Sequence, residues 1–266
     1  MFTKTNRLDR KEIYLDSLIK NLKLWRNLPA YQLERRVDVL FSLVLPEIFE
    51  RMFSEGRNDL LEILPEFPLH KGLVLNENDE SYNRSVKVDF AVFYKDPNRI
   101  FLVELKTDNH SINDAQLKNL KAAAAIEPTT LLKGVIKCAR HSDSPRKYAH
   151  LIYYLNELGC FENFHHVKRM NLDQEGCRLR DKFEKIQISQ DWTNADIQFK
   201  IIYPGGASKI AETARKIELV KALPEETRAS FCDVIRALGE HPLANFLQTL
   251  SEFEPGRETP WSLESK

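Results

Sequence analysis

The stretch KVDFAVFYKDPNRIFLVELKT, residues 87–107, carries the clearest structural pattern in the chain. Apolar residues recur at every second position over residues 86–94, which is typical of a β-strand. The unbroken apolar run at residues 100–103 favours a strand that is buried on both faces. Between them, Asp96, Pro97 and Asn98 supply turn chemistry. The stretch therefore predicts a β-hairpin.

The charged residues of this hairpin stand at its open end. A four-residue loop over residues 96–99 would close the hairpin at Lys95 and Ile100, and antiparallel pairing then sets Asp89 opposite Lys106 with Glu104 on the diagonal. Opposite residues share a face of the sheet, as do residues two apart along one strand. The pattern therefore predicts that these three side chains converge on one face.

Two carboxylates and a lysine in this arrangement suit phosphodiester hydrolysis. Asp89 and Glu104 offer the hard oxygen ligands that Mg²⁺ prefers, and the backbone carbonyl of Leu105 could add another. Lys106 could orient the attacking water or stabilise the developing charge. The alternative is a structural ion pair between Asp89 and Lys106 with an incidental Glu104. Burying charge in an apolar hairpin is costly unless it is paired or metal-bound, which favours a site.

Asp89 followed by Glu104-Leu105-Lys106 resembles the PD-(D/E)XK nuclease superfamily, with Val88 at the place of the proline. Thr107 and the later run Asp114-Ala115-Gln116-Leu117 are similar to the RecB-like branch, in which a glutamine on the helix after the motif strand completes the site. Leu120 stands where that branch often has a tyrosine. The resemblance covers roughly residues 30–125 of the sequence.

The resemblance implies a restriction-endonuclease-like core, a divalent metal (Mg²⁺ or Mn²⁺), and DNA as the substrate, with RNA left open. It makes Gln116 a fourth catalytic residue. It also implies a metal-shell glutamate on the preceding helix, for which Glu34 is the first candidate and Glu47 the second. Lys118 and Lys121 are candidates for contacts with backbone phosphates; the alternative is that all of these are ordinary surface side chains.

The rest of the chain predicts an α/β fold, a mixed central sheet flanked by helices, with helical N-terminal and C-terminal additions. A capping-box pattern at Asp9 and Glu12 begins the first helix. A second helix starts near Ala30, and Pro46 is expected to kink or restart it. Further helices are expected at residues 113–126, 129–140 and 145–158, strands at 184–189 and 196–203, and a helical part at 208–253. We expect one domain over 1–266, with a core of about 30–125 plus the strands near 184–204.

Overall composition gives no nucleic-acid signal, because 39 Lys and Arg balance 39 Asp and Glu. Residues 112–150 are locally basic, with seven Lys or Arg against three acids. The four cysteines form no CxxC pair, and no apolar run approaches the roughly 20 residues of a membrane span. We therefore expect a cytoplasmic metal-dependent nuclease, acting alone, as a homodimer or as a subunit of a larger assembly. The alternative is a non-catalytic nucleic-acid-binding or protein-interaction module with the same fold.

Overall fold

The structure is a computed structural model of the 266-residue chain. It describes residues 34–74, 85–95, 97–162, 176–206 and 210–239, together with residues 244 and 247. The helix predicted to begin near Asp9 lies outside the described residues.

The described part of the chain contains eight α-helices and seven β-strands. The helices are α1 (Glu34–Met52), α2 (Lys71–Val74), α3 (Asp114–Ala124), α4 (Pro128–His141), α5 (Pro145–Glu157), α6 (Gly176–Phe183), α7 (Ala211–Lys221) and α8 (Phe231–Leu238). The strands are β1 (Leu60–His70), β2 (Ser85–Tyr94), β3 (Arg99–Leu105), β4 (Phe161–Glu162), β5 (Gln187–Ile188), β6 (Asp196–Tyr203) and β7 (Arg228–Ser230). No helix within these described ranges is long and apolar enough to cross a membrane.

The main sheet has five strands in the order β1-β2-β3-β6-β7. The β1–β2 and β2–β3 pairs are antiparallel and the β6–β7 pair is parallel, so the sheet is mixed. This confirms the predicted α/β class with a mixed central sheet. The strand expected over 184–189 is wrong as a core strand, because β5 has only two residues and pairs with β4 in a separate sheet. The N–H of Ser189 bonds to the Cys160 carbonyl, and Ser189 then caps the turn 190–192.

By its contacts the chain divides into two compact units. We call the first the terminal unit (Met1–Arg57, Leu105–Ile112 and Ile201–Lys266) and the second the hairpin unit (Asn58–Glu104 and Asn113–Lys200). Each unit is assembled from separate stretches of the chain. The expectation of a single domain over 1–266 stays a prediction.

The hairpin unit is built on strands β1, β2 and β3. β1 lies at the edge of the sheet and contains Pro65 and Pro68, which cannot donate to a ladder and are tolerated at an edge. At the turn end of the hairpin, the ring of Phe93 lies 6.0 Å from that of Phe67 and 5.6 Å from that of Trp192. The three rings meet edge to face and are buried in the core of the unit.

The three helices that follow the hairpin match their predicted bounds to within two residues. Pro128 and Pro145 stand in the first turns of α4 and α5, where a missing N–H costs nothing. Gly159 follows α5 with φ +74°, the left-handed conformation that ends many helices. Capping residues and proline positions thus specify these helices locally.

The terminal unit pairs α1 with α8, and the Phe41 and Phe231 rings lie 6.3 Å apart. Pro46 lies inside α1, which continues through it to Met52, so of the two expected effects the restart is wrong and the kink stays a prediction. The prediction that residues 208–253 are all helical is wrong, because they include β7. This strand pairs in parallel with the end of β6, with Arg228 opposite Ile201. A capping box between Ser230 and Asp233 then begins α8.

His70, the last residue of β1, is a buried imidazole in the hairpin unit, 8% exposed. Neither of its ring nitrogens has a hydrogen-bond partner among the described residues. Burial lowers the pKa of His70, and the nearby Lys137 and His141 lower it further. All three effects oppose the charged form.

The lowered pKa predicts that the chain loses stability in acid. Above about pH 6.5 His70 is neutral in both the folded and the unfolded chain, but as pH falls below that value only the unfolded chain takes up the proton. We expect His70→Leu to flatten the decline of melting temperature between pH 7 and pH 5, at a cost within about 1 kcal/mol at pH 7. The exposed His150 is the control, and His150→Gln should keep the wild-type slope. If the melting temperature of His70→Leu falls with pH as steeply as that of the wild type, His70 is not the cause of the acid destabilisation.

Gly205 is a second constrained position, in the terminal unit just after β6. Its φ is +75°, and a Cβ added there would lie 2.9 Å from the Cβ of Ser230. Gly206 has a similar φ of +78°, but a Cβ there would meet nothing within 4 Å.

These two glycines separate backbone strain from steric clash. We expect Gly206→Ala to cost about 1–2 kcal/mol of unfolding free energy, which is the price of a left-handed alanine. Gly205→Ala should cost about 1–3 kcal/mol more, because Ser230 and β7 must move. Urea denaturation of the two variants measures the difference. Equal losses would mean that β7 adjusts freely.

Candidate active site

The register of the hairpin differs from the predicted one by two residues. The β2–β3 pairs run from Tyr94 with Arg99 to Phe90 with Val103, so the loop is residues 95–98 rather than 96–99. Continued by one residue, this register sets Asp89 opposite Glu104, and the predicted pairing of Asp89 with Lys106 is wrong. A shift of two keeps the same face, so Asp89 and Glu104 still fall on one side in regular strand geometry.

Contacts outside the hairpin account for the position of the loop. The N–H of Lys95 donates to the Asp59 carbonyl at 2.8 Å, which ties Lys95 to the chain just before β1. Asn98 is held from the other side, because its Nδ2 donates to the Asp191 carbonyl at 2.7 Å and its own carbonyl accepts from the Asp196 N–H at 3.0 Å. These bonds leave Arg99, not Ile100, as the first paired residue of β3.

Glu104 is a buried carboxylate near the end of β3, only 3% exposed. It receives a hydrogen bond from α3, in which Gln116 Nε2 donates to Glu104 Oε1 at 2.9 Å. The helix is placed by Asn113, whose side chain caps it by accepting from the Ala115 N–H at 2.8 Å. Leu117 and Leu120 are buried on the inner face of the same helix. The sequence predicted that Gln116 faces Glu104, and this contact is present; the catalytic role of either residue stays a prediction.

Asp89 and Lys106 differ in their exposure. Asp89 lies on β2 and is half-buried, so solvent reaches it. Lys106 belongs to the terminal unit, where it directly follows β3 and is 4% exposed. Its backbone N–H donates to the Ile202 carbonyl on β6 at 2.8 Å, and the neighbouring Leu105 and Thr107 are equally buried. A buried ammonium is costly, so Lys106 is unlike an ordinary surface lysine.

A cavity of about 250 Å³ adjoins the Glu104–Gln116 contact in the hairpin unit; we call it the Gln116 cavity. Its apolar lining comes from Leu69, Val86, Val88 and Leu120. Its polar lining comes from Lys87, Glu104, Gln116 and Asn119. Asp89 is not part of this lining. The buried carboxylate thus borders a space that a small group can enter.

The remaining predicted site residues are spread out. Lys118 and Lys121 are exposed on α3, as phosphate contacts would require. Glu47 lies on α1 of the terminal unit, where it is half-buried and forms an ion pair with Arg51. Glu34 is the first residue of α1, and its side chain lies outside the described part of the structure. The described residues contain no cluster of three or more His, Cys, Asp or Glu that could hold a metal.

Sequence reasoning missed two residues of this region. Asn119 lines the Gln116 cavity one helical turn after Gln116, a spacing that places both amides on neighbouring parts of one helix face. That spacing was visible in the sequence and could have identified Asn119. Lys87 also lines the cavity, but its position depends on β1, where Glu66 forms an ion pair with it.

Comparison of the chain with models of known protein families, with curated proteins and with solved structures gives no match. The candidate site is therefore defined only by the chemical groups that this chain brings together. These are a buried carboxylate with an amide donor, a half-exposed aspartate on the neighbouring strand, and a cavity beside them, all within the hairpin unit of an α/β fold.

The Glu104–Gln116 hydrogen bond predicts a local stability effect. Gln116→Ala removes a donor from a buried carboxylate, so we expect a loss of about 1–3 kcal/mol of unfolding free energy at pH 7. Lys118→Ala, two residues away on the exposed face of α3, should change stability by no more than about 0.5 kcal/mol. Urea denaturation measures both. A Gln116→Ala variant as stable as the wild type would show that the bond contributes little.

Proposed function

We propose that this chain is a metal-dependent nuclease of the PD-(D/E)XK type with a restriction-endonuclease-like core, acting on DNA. The observation that supports the proposal most is the buried Glu104 carboxylate, which receives the amide of Gln116 from the following helix. A structural carboxylate is rarely buried to 3% without a compensating role, because taking its charge out of water costs several kcal/mol.

The donor groups fit a hard divalent cation. Asp89 and Glu104 offer carboxylate oxygens, and the Leu105 carbonyl would be a third oxygen ligand; Mg²⁺ takes few protein ligands and keeps several waters. Asp89 is half-buried, so a hydrated ion can reach it. When bound, Mg²⁺ or Mn²⁺ lowers the pKa of a coordinated water and neutralises charge on the phosphate.

The chain's own residues would divide the remaining work. Gln116 holds the Glu104 carboxylate in one orientation, because a hydrogen bond of 2.9 Å restricts its rotation. Lys106 would donate hydrogen bonds to the attacking water or to a phosphoryl oxygen, adding positive charge where negative charge develops. The exposed Lys118 and Lys121 would hold backbone phosphates on the approach to the site.

The proposal predicts that three substitutions abolish activity. Asp89→Ala, Glu104→Ala and Lys106→Ala should each lower Mg²⁺-dependent DNA cleavage by on the order of 100-fold or more, because the three groups act as a unit. Isothermal titration should show that Lys106→Ala still binds metal while the two carboxylate variants do not. Lys95→Ala, an exposed lysine at the turn of the same hairpin, is the control and should cleave normally.

Thermal melts separate this proposal from the non-catalytic alternative. We expect millimolar Mg²⁺ or Mn²⁺ to raise the wild-type melting temperature, since the ion binds the folded chain, and to leave Asp89→Ala unchanged. Without metal, Asp89→Ala should be at least as stable as the wild type because one of two neighbouring carboxylates is removed. A wild type that ignores both metals, together with a destabilised Asp89→Ala, would favour the non-catalytic module.

A further inference from the structure

The Gln116 cavity has both apolar and polar lining. The apolar residues include Leu69 and Val86, which are cross-strand partners on β1 and β2, together with Val88. Helix α3 contributes the amide residues Gln116 and Asn119. The volume of about 250 Å³ lies just below the range of about 300–1,000 Å³ that is usual for drug-sized ligands. The cavity therefore suits one planar ring system and not a stacked pair.

The polar group best placed to read a ring is Asn119. Its side chain is half-buried on α3, and an amide offers a donor and an acceptor side by side. This is the pattern with which asparagine recognises the edge of a nucleobase. The apolar lining residues would contact the ring, so a base would gain both apolar contact and a hydrogen-bonded edge.

Positive charge lies at the border of the same cavity. Lys87 lines it and keeps much of its side chain in solvent, 57% exposed, while it is paired with Glu66, whose side chain is 45% exposed. Exposed ion pairs contribute little stability, so the Lys87 ammonium can exchange Glu66 for a phosphate at small cost. On α3, Lys118 and Lys121 are exposed on either side of Asn119 and Leu120. These three ammonium groups could contact the backbone phosphates of a DNA strand whose base occupies the cavity.

We propose that the Gln116 cavity binds one unpaired nucleobase of a DNA strand, so that the chain acts on single-stranded or locally opened DNA. The inference depends on the nuclease function proposed above. A base inside a duplex is stacked and paired, and it must leave the stack before it can enter such a cavity. An unpaired base enters without that cost. Glu104 belongs to both the cavity lining and the proposed catalytic centre, so the bound base would lie next to the phosphate that is cleaved.

The test measures binding without divalent metal, so that it does not depend on cleavage. Fluorescence anisotropy in EDTA compares a labelled 12-nucleotide single strand, its blunt duplex, and single strands with one abasic site at each position in turn. We expect the wild type to bind the single strand about tenfold more tightly than the duplex. We also expect one abasic position to weaken binding by about tenfold, because the hydrogen bonds from the Asn119 amide to one base are lost.

Two variants and a control locate the effect. Asn119→Ala removes the reading amide, and Leu120→Phe fills the cavity from the same helix, so both should lose the sensitivity to the abasic position. Asn156→Ala changes another half-buried asparagine, on α5, and should keep it. If melting shows that Leu120→Phe does not fold, Asn119→Ala decides alone. A wild type without a sensitive position, or variants that retain the sensitivity, would overturn the proposal.

Cleavage assays on the same oligonucleotides distinguish the two proposals. Metal-dependent cleavage without any position-specific loss of binding would contradict the proposed base pocket but support the proposed nuclease function. Position-specific binding without cleavage in Mg²⁺ or Mn²⁺ would remove the nuclease and leave a base-binding module. Failure to bind any of these strands would overturn the base pocket.

Discussion

The pairing of β2 with β3 is the constraint on which the rest of the candidate site depends. Because side chains alternate across a strand, the register from Tyr94–Arg99 to Phe90–Val103 decides which residues of the two strands share a face. A slip by one residue would send Glu104 to the face opposite Asp89 and break its contact with Gln116. The register is set by bonds outside the hairpin, at Lys95 and Asn98, so the geometry of the open end is determined at the turn end.

Aromatic packing and a buried carboxylate occur together in the hairpin unit. The ring of Phe93 meets those of Phe67 and Trp192 edge to face, and Phe67 is paired with Val88 near the open end of the hairpin. At the open end, Glu104 is as buried as those rings, and it takes a hydrogen bond from a neutral amide. Such a carboxylate lowers stability relative to an apolar residue of similar size. Burial of the three aromatic rings in the same unit can offset that cost.

Local signals in the sequence were enough for the hairpin and for helices α3 to α5, because strand alternation, turn residues, caps and prolines act over a few neighbouring residues. The expectation that Gln116 lies at the site came from the resemblance to the RecB-like branch, and the contact with Glu104 is present although the register differs by two residues. The shift itself could not be read locally, because Asp59 and Asp191 cause it from distant parts of the chain. The three-residue strand β7 is short and pairs in parallel with a distant strand, so its sequence carries no period. The position of Lys87 at the cavity could not be predicted from neighbouring residues either, because its partner Glu66 lies on another strand.

The rotation of helix α3 about its own axis determines which of its polar side chains lie near Glu104 and the Gln116 cavity. Its buried residues Leu117, Leu120 and Ala123 fix its rotation against the rest of the hairpin unit. With that rotation set, Gln116 and Asn119 lie one turn apart beside the Gln116 cavity, and Lys118 and Lys121 face solvent. The rotation fixed by these buried residues therefore brings Gln116 to the Glu104 carboxylate and Asn119 to the lining of the cavity. It leaves Lys118 and Lys121 exposed to solvent. Polar residues beside a buried stripe are usual on a surface helix, so the feature that favours a site at this end of the hairpin is the specific bond from Gln116 to the buried Glu104.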